Sequence, residues 1–381
     1  MSNAWVPPLD DRLLELLETR FAEDGDLFTV ASGGLYVADP WHAKQILANA
    51  EGHYVEHSDF FHTSAGVLGP REIQQRIGRE ARELLAGFIQ SSAGRLDGLV
   101  ESHLWPSSRL PDAANHLLAD YFRPALLATH TSSRLPAALT DVVKHAVLAG
   151  ARERRRRWQR ALLRRRAHGL LAAEIVARRR ESGPAADLLG VVALATAPTH
   201  PPEQAGEVFL SLLFATTGSV GFLLAWSLFL LGQHEPPGQI PLSATVREAL
   251  RLWPVAWLFG RVAARRHRIG PAVVEPGETV SVCTYLVHRH PAHWPEPNTF
   301  QPQRWGGANP AAFLPFGWGP HACTGAALSL GLVEELLRVI TDRYHLSVAV
   351  DDPRPHTGPA LAPPEFVLSL STRAQRGGEE R

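Results

Sequence analysis

Two cysteines occur in 381 residues, Cys283 and Cys323, far apart in the chain. Cys323 stands in FLPFGWGPHACTGAALSLGLVEELLRVI, between a glycine-rich turn and an amphipathic helical pattern. Gly317, Gly319 and Gly325 permit backbone angles that a Cβ forbids, so this loop can bring a thiolate close under a flat ligand. Backbone N–H groups and the start of the following helix favour negative charge on sulfur. One cysteine cannot build a zinc or iron–sulfur site alone. It can serve as the single axial ligand of a haem iron, whose equatorial ligands come from the porphyrin. An ordinary buried cysteine after a glycine-rich loop is the competing reading. Cys283, in the alternating stretch VSVCTYLVH, reads as a buried strand residue.

Other constellations carry less. HRHPAH places His288, His290 and His293 close enough to chelate a metal, but the stretch also suits a strand end and a turn. TTGSVG lacks the spacing of a nucleophilic serine elbow, because Thr217 occupies the first glycine position. Twelve arginines fall between Arg152 and Arg180. A basic run can mark a nucleic-acid surface, yet no base-stacking motif accompanies it. A long surface helix is the expected form, with Trp158, Leu162, Leu163, Leu170, Leu171 and Ile175 facing inward. The 26 residues 208–233, VFLSLLFATTGSVGFLLAWSLFLLGQ, contain no charge. Their length alone would allow a membrane span, but basic flanks are absent, and a buried core helix is expected.

The run Phe316-Gly317-x-Gly319-x-His321-x-Cys323-x-Gly325 resembles the haem-binding signature of the cytochrome P450 family. REALRLWP supplies Glu248-x-x-Arg251, similar to that family's E-x-x-R helix, and FQPQRW places Arg304 where the family has the third member of a Glu-Arg-Arg network. Order and spacing agree from about residue 71 to about residue 370. Glu248 and Arg251 lie three apart on one helix face, and buried charges of this kind need one another. A scaffold role, pinning the coil that carries the cysteine loop, is expected for the three.

The resemblance implies a triangular, mainly helical domain with a small β part and a central long helix over the haem. It implies haem b, with Cys323 on the iron and Arg261, His321 and Arg76 facing the propionates. In the central helix FATTGSVGFLLAWSL stands where the family commonly has an acid followed by an alcohol, used to relay protons during oxygen activation. Here Thr216 stands at the family's glycine, Gly218 at the acid and Ser219 at the alcohol, with Thr217 beside them. Gly218 leaves room for substrate or water. Four readings stay open: Ser219 and water suffice for monooxygenation; the substrate supplies the missing polar group; peroxide is the oxidant; or the reaction is radical coupling, desaturation or group transfer. A haem-binding sensor or carrier without turnover is the reading from another class. Val255, Trp257 and Phe259, after the E-x-x-R helix, are expected to line the substrate pocket, as is the loop 56–69.

These residues need particular elements to hold them. Acidic and basic residues balance at 38 each, so no global field favours nucleic acid or an anionic membrane surface. Apolar content is 45%, ordinary for a globular protein. No basic start or apolar core marks an N-terminal signal, and two distant cysteines fit a reducing cytoplasm. The periodicity predicts a helix over 10–23, a strand pair in LFTVASGGLYVAD, a helix at WHAKQILANA, and mainly helix over 71–250. Short strands follow Pro254, then a proline-rich coil over 291–320 and a helix over 326–344. A single domain over 1–381 with a frayed tail over 373–381 is expected. Such a chain has no room for a reductase. The resemblance therefore implies separate electron donors, a ferredoxin and its reductase, serving a monomeric enzyme that oxidises a small, largely apolar molecule of secondary metabolism.

Overall fold

The computed structural model describes residues 12–30, 33–56, 60–129, 131–143, 157–181, 183–234, 241–307 and 310–373. The chain opens with α1 (Leu13–Asp24), the hairpin strands β1 (Leu27–Thr29) and β2 (Leu35–Val37), α2 (Pro40–Ala48), and a shorter hairpin of β3 (His62–Thr63) and β4 (Gly66–Val67). Helices α3 (Arg71–Ser92) and α4 (Leu96–Leu104), strand β5 (Ser107–Leu110), and helices α5 (Asp112–Leu126), α6 (Arg134–Val142), α7 (Arg157–Arg178) and α8 (Leu188–Thr196) follow. Helix α9 (Pro202–Leu213) runs through a π-helical turn, Phe214–Ser219, into α10 (Val220–Gln233). After α11 (Leu242–Leu252) come β6 (Leu258–Val262), β7 (His267–Ile269), β8 (Ala272–Val274), β9 (Thr279–Cys283) and the single turn α12 (Thr284–Val287). Helix α13 (Ala326–Arg343) and strands β10 (Tyr344–Val350) and β11 (Phe366–Thr372) complete the chain.

The main sheet has the order β1-β2-β9-β6. Strand β9 pairs parallel with β2 and antiparallel with β6, so it carries the register between the N-terminal hairpin and the segment after the E-x-x-R helix. Asp39 caps α2, accepting from the His42 N–H at 2.6 Å. Asn49 ends that helix in the left-handed conformation, and its carboxamide exchanges two 3.0 Å hydrogen bonds with the Tyr54 backbone. The second sheet, β10-β11-β5, went unanticipated. Its third strand is the short, polar SSRL, which pairs with a strand more than 250 residues further on. No local pattern announces such a partner.

The uncharged segment is a core helix. Every residue from Val220 to Leu230 is buried, which explains a composition apolar all round rather than on one face. Helices α5, α11 and α13 pack around it. Among the described residues Pro202–Gln233 is long and apolar enough to cross a membrane, but 67% of its apolar window is buried inside the protein.

Helix α7 corrects one expectation. Ala167, Leu171 and Ile175 are buried, and Arg178 continues their stripe. Leu162 instead points outward, 62% exposed. It lies nine residues before Leu171, about 180° round the helix at ~100° per residue. Arg178 is not a solvated member of the run either: it is buried against Asp187 at 2.9 Å and Thr131 at 2.6 Å. The Trp158 side chain, residues 144–156 and the tail 374–381 lie outside the described set.

Candidate haem-thiolate site

The cysteine loop is turned by glycine and closed by backbone bonds. Gly317 and Gly319 hold φ values of +72° and +75°. The Gly317 N–H donates to Leu314 O at 3.1 Å, and the Cys323 N–H donates to Phe316 O at 2.9 Å. Gly319 has a second reason to be glycine: a Cβ there would lie 2.8 Å from the Ala48 Cα, where the loop rests on the end of α2. Gly325 adjoins the sulfur and leads into α13. Cys323 is an exposed residue with a free thiol. Surrounding protein still pushes its pKa up by desolvation, while the backbone N–H groups of Gly325 and Ala326 pull the other way. Cys283 differs in kind. It is buried in β9, and burial pushes its thiol up to about 12, so it is inert.

Glu248, Arg251 and Arg304 meet. Arg251 donates to both Glu248 carboxylate oxygens, at 2.7 and 2.9 Å, and Arg304 Nε donates to Oε1 at 3.1 Å. The Trp305 indole and the Gln301 N–H donate to the same carboxylate, at 2.8 and 2.9 Å. Glu248 and Arg251 are fully buried, and the number of charge-assisted bonds is what such burial demands. Arg251 further ties down the carbonyls of His288, Pro297 and Thr299.

His288 extends this anchorage to the cysteine loop. Its Nε2 accepts from the Leu314 N–H at 2.8 Å, three residues before Gly317. Burial, reinforced by Arg251 and Arg289, pushes its pKa down to about 3, so the ring is a neutral acceptor. The chelating alternative for HRHPAH is replaced by this role, because His290 turns to Asp26 at 2.9 Å. Among the described residues no cluster of three or more His, Cys, Asp or Glu could hold a bare metal ion.

Cations gather on one side of the loop. Arg261, His321 and Arg71 line a cavity together with Glu56 and Val55. His321 pairs with the Glu56 carboxylate at 2.9 Å, so an anionic carboxylate already has its partner there. Arg76 does not line this cavity. It lies half-exposed and pairs with Glu80 at 2.8 Å, one turn along α3. Arg71, at the helix start, lines the cavity with Arg261.

The residues expected to line the substrate pocket fall in different surroundings. Trp257 is buried among Leu17, Tyr36 and Cys283, and its indole donates to Gly358 O at 2.8 Å. It is core: its neighbours are side chains of the N-terminal segment and β9, and its indole is spent on the Gly358 carbonyl. Phe259 packs at Gly317, on the cysteine loop. Val255 is buried in the main core, and its carbonyl accepts from Leu361 N–H. Part of the loop 56–69, residues 57–59, lies outside the described set.

In the central helix, Thr216, Thr217, Gly218 and Ser219 all fall in the π-helical turn. Thr216 Oγ1 donates to Leu212 O at 2.9 Å and Thr217 Oγ1 to Leu213 O at 2.6 Å. Both hydroxyl protons are therefore directed back into the preceding turn. Ser219 is half-buried, and Gly218, where an acid was expected by resemblance, is buried. Sequence reasoning missed Asn115 on α5, which reaches this turn. With its amide nitrogen toward the helix it donates to Thr217 O at 3.2 Å and Gly218 O at 3.3 Å, the sense in which both ends of the amide find complementary partners.

A mainly helical fold around one long buried helix, with a lone accessible thiol in a glycine-turned loop, is the architecture of a haem-thiolate protein. The family model described as Cytochrome P450 matches residues 240–369. Human 25-hydroxyvitamin D-1 alpha hydroxylase, mitochondrial, is 32% identical over 188 residues, 41% of this chain and 36% of that protein. Cyclooctatin synthase of Streptomyces melanosporofaciens is 28% identical over 46% of this chain and 43% of its own length. The match thus spans less than half of either relative. Putative cytochrome P450 135B1 of Mycobacterium bovis is 26% identical over 96% of this chain and 88% of its own. The cytochrome P450DA haem domain superposes with a TM-score of 0.70 at 21% identity, over 96% of this chain and 94% of that one. A zebra fish cytochrome P450 solved with abiraterone gives 0.75 at 18%, over 96% and 100%.

The chain thus matches the Cytochrome P450 family model over residues 240–369 and shares the fold of cytochrome P450 structures along nearly its whole length. Its cofactor is haem, and the residues fit that group. A single accessible thiolate needs a macrocycle to complete an iron's coordination, and the cations beside the loop suit the macrocycle's carboxylates.

Proposed function

We propose that this protein is a haem-thiolate monooxygenase that inserts oxygen into a small, largely apolar organic molecule, with electrons from a separate ferredoxin and ferredoxin reductase. The observation that carries the reading is Cys323: a free, accessible thiol on a loop fixed by two left-handed glycines and anchored through His288 to the buried Glu248–Arg251–Arg304 network. Cys323 binds the iron, and Arg71, Arg261 and His321 hold the propionates. Haem supplies the oxygen activation when bound, its thiolate ligand favouring O–O cleavage. The chain orients the substrate, excludes water and moves protons. With glycine at 218 and the Thr216 and Thr217 hydroxyls bonded backward, Ser219 is the side chain left to pass a proton, through water. The relatives' names include a hydroxylase of a vitamin D metabolite and a synthase of cyclooctatin, which agrees with an apolar polycyclic or terpenoid-like substrate class and with secondary metabolism.

The deciding experiment titrates ferric holoprotein with a panel of such molecules, following the Soret band. Compounds that shift it are then turned over with ferredoxin, its reductase and heavy-isotope dioxygen. Label in the product supports the reading. Consumption of reductant without labelled product, or turnover with peroxide alone, replaces it with the peroxygenase or non-inserting chemistry that Gly218 makes room for. No consumption with any compound that binds would make the protein a haem carrier or sensor.

A further inference from the structure

Asn115 is the polar side chain on the buried face of α5 that demands an explanation. Ala114, Leu117, Leu118 and Tyr121 around it are all buried, and Asn115 is itself 0% exposed. A carboxamide taken out of water without partners costs several kcal/mol, so its bonds to Thr217 O and Gly218 O are the reason it is tolerated. A second observation marks the same point. Gly221, one turn on, has no room for a side chain: a Cβ would overlap the Asn115 carboxamide and lie 3.0 Å from its Cγ and 3.1 Å from its Cα. The backbone of the central helix comes directly against α5 there.

A π-helical turn inside an α-helix persists only where neighbouring groups hold it, and such turns concentrate at functional sites. Here Thr216 and Thr217 satisfy carbonyls on the N-terminal side of the turn, and Asn115 supplies a donor on the C-terminal side. Were the turn to relax to a regular α-helix, one residue would leave the bulge. Side chains on the two sides would then rotate relative to one another by about 100°. Ser219 and the gap at Gly218 would no longer face the same way.

We propose that Asn115 is a positioning residue for the oxidation site: its carboxamide, seated against Gly221, holds the π-turn of Phe214–Ser219 open and so sets where Ser219 and the Gly218 gap face the cofactor. The inference rests on the haem-thiolate reading for its consequence, but the geometry of the turn can be tested independently of it.

The test uses the holoprotein and two variants, Asn115→Leu, which fills the same volume without a donor, and Gly221→Ala, which keeps the donor and crowds it. Amide hydrogen exchange over 214–221 reads the turn directly, and exchange there should speed up roughly tenfold in both variants, as for loss of a buried hydrogen bond. Affinity of the ferric protein for imidazole reads the space over the iron and should change roughly fivefold or more, since the haem-thiolate reading puts the central helix over that space. The carbon monoxide spectrum of the reduced variants should keep its thiolate band, because the cysteine loop is untouched. If Asn115→Leu does not fold, Gly221→Ala decides alone. Exchange and imidazole affinity within twofold of the parent in the folded variants overturn the proposal. A parent protein without a thiolate-type spectrum would defeat the functional reading instead, leaving the exchange result to stand or fall separately.

Discussion

The Cys323 loop and the turn at Phe214–Ser219 both break regular structure, but they are held in different ways. The loop is fixed by residues close in sequence and by a charged network behind it. Gly317 and Gly319 supply the backbone angles, Phe316 O receives the Cys323 N–H, and His288 ties Leu314 to the helix that carries Glu248 and Arg251. The turn itself carries no charged side chain. It is held by hydroxyls bonded to their own helix and by a carboxamide from α5, about 100 residues earlier in the chain. The difference follows from what each must do. A thiolate that binds iron needs one position and a stable anionic state. The opposite face has to admit substrate and water, so it is shaped by an irregular backbone and uncharged groups that can be tuned without disturbing the anchor.

The strongest way to break this contrast is at the sulfur. Cys323→Ser should abolish the thiolate-type carbon monoxide spectrum of the reduced protein entirely. Survival of that band would move the iron ligand elsewhere. Next comes the anchor. Glu248→Ala leaves Arg251 buried without its carboxylate and strips Trp305 and Arg304 of their acceptor. The expected loss is about 3–5 kcal/mol, the cost of stranding a buried charge, measured by denaturant unfolding of the holoprotein. A loss below about 1 kcal/mol, the scale of an exposed ion pair, would show that the network is ornamental.

The same contrast explains what could be read from sequence. Cys323, Glu248 and Arg251 were legible because local spacing encodes them: turns need glycine, and two charges three apart share a helix face; Arg304, 56 residues from Glu248, was legible only through the family resemblance. The buried central helix was legible from its lack of charge. Arg71 was not, since nothing local distinguishes it from Arg76; only the start of α3 against the cavity does. Trp257 was misplaced because the groups that enclose it, Leu17 and the Gly358 carbonyl, are distant in the chain. Asn115 was invisible because its meaning lies in Gly221 and the carbonyl of Gly218, which belong to another helix. Strand β5 was missed for the same reason: its partner is distant in the chain.

His288 offers a pH test of the link between anchor and loop. Its pKa falls from 6.5 to about 3 on folding, chiefly through burial. The unfolded chain thus takes up a proton below pH 6.5 that the folded protein refuses until near pH 3. The stability contributed by the neutral ring is complete above 6.5 and declines as pH falls through that window, at up to about 1.4 kcal/mol per pH unit. His288→Gln keeps an acceptor for the Leu314 N–H and removes this proton. Its unfolding free energy should therefore depend on pH between 6.5 and 4 by about one proton less than the parent's. Equal slopes would mean that the ring is not the group that resists acid. On the opposite face, Ser219→Ala should lower product formed per electron roughly fivefold with little change in substrate affinity, as expected for loss of a proton-passing group. Unchanged coupling would free Ser219 of that role.

The smallest expected effects separate two arginines on one helix. Arg76 is exposed and already paired with Glu80, so Arg76→Ala should alter stability and haem retention by under about 1 kcal/mol, the range of surface ion pairs. Arg71 lines the cavity with Arg261 and His321, opposite the Glu56 carboxylate. If this group holds the propionates as proposed, removing Arg71 takes one cation from it, and haem transfer to apomyoglobin should accelerate roughly fivefold in Arg71→Ala, the scale of one charge-assisted bond partly open to water. The comparison is internal: both variants lose one positive charge from α3, so any general effect of net charge cancels between them. If Arg76→Ala releases haem faster than Arg71→Ala, then Arg76 leaves Glu80 for the propionate when haem is bound, and the assignment from family resemblance is restored.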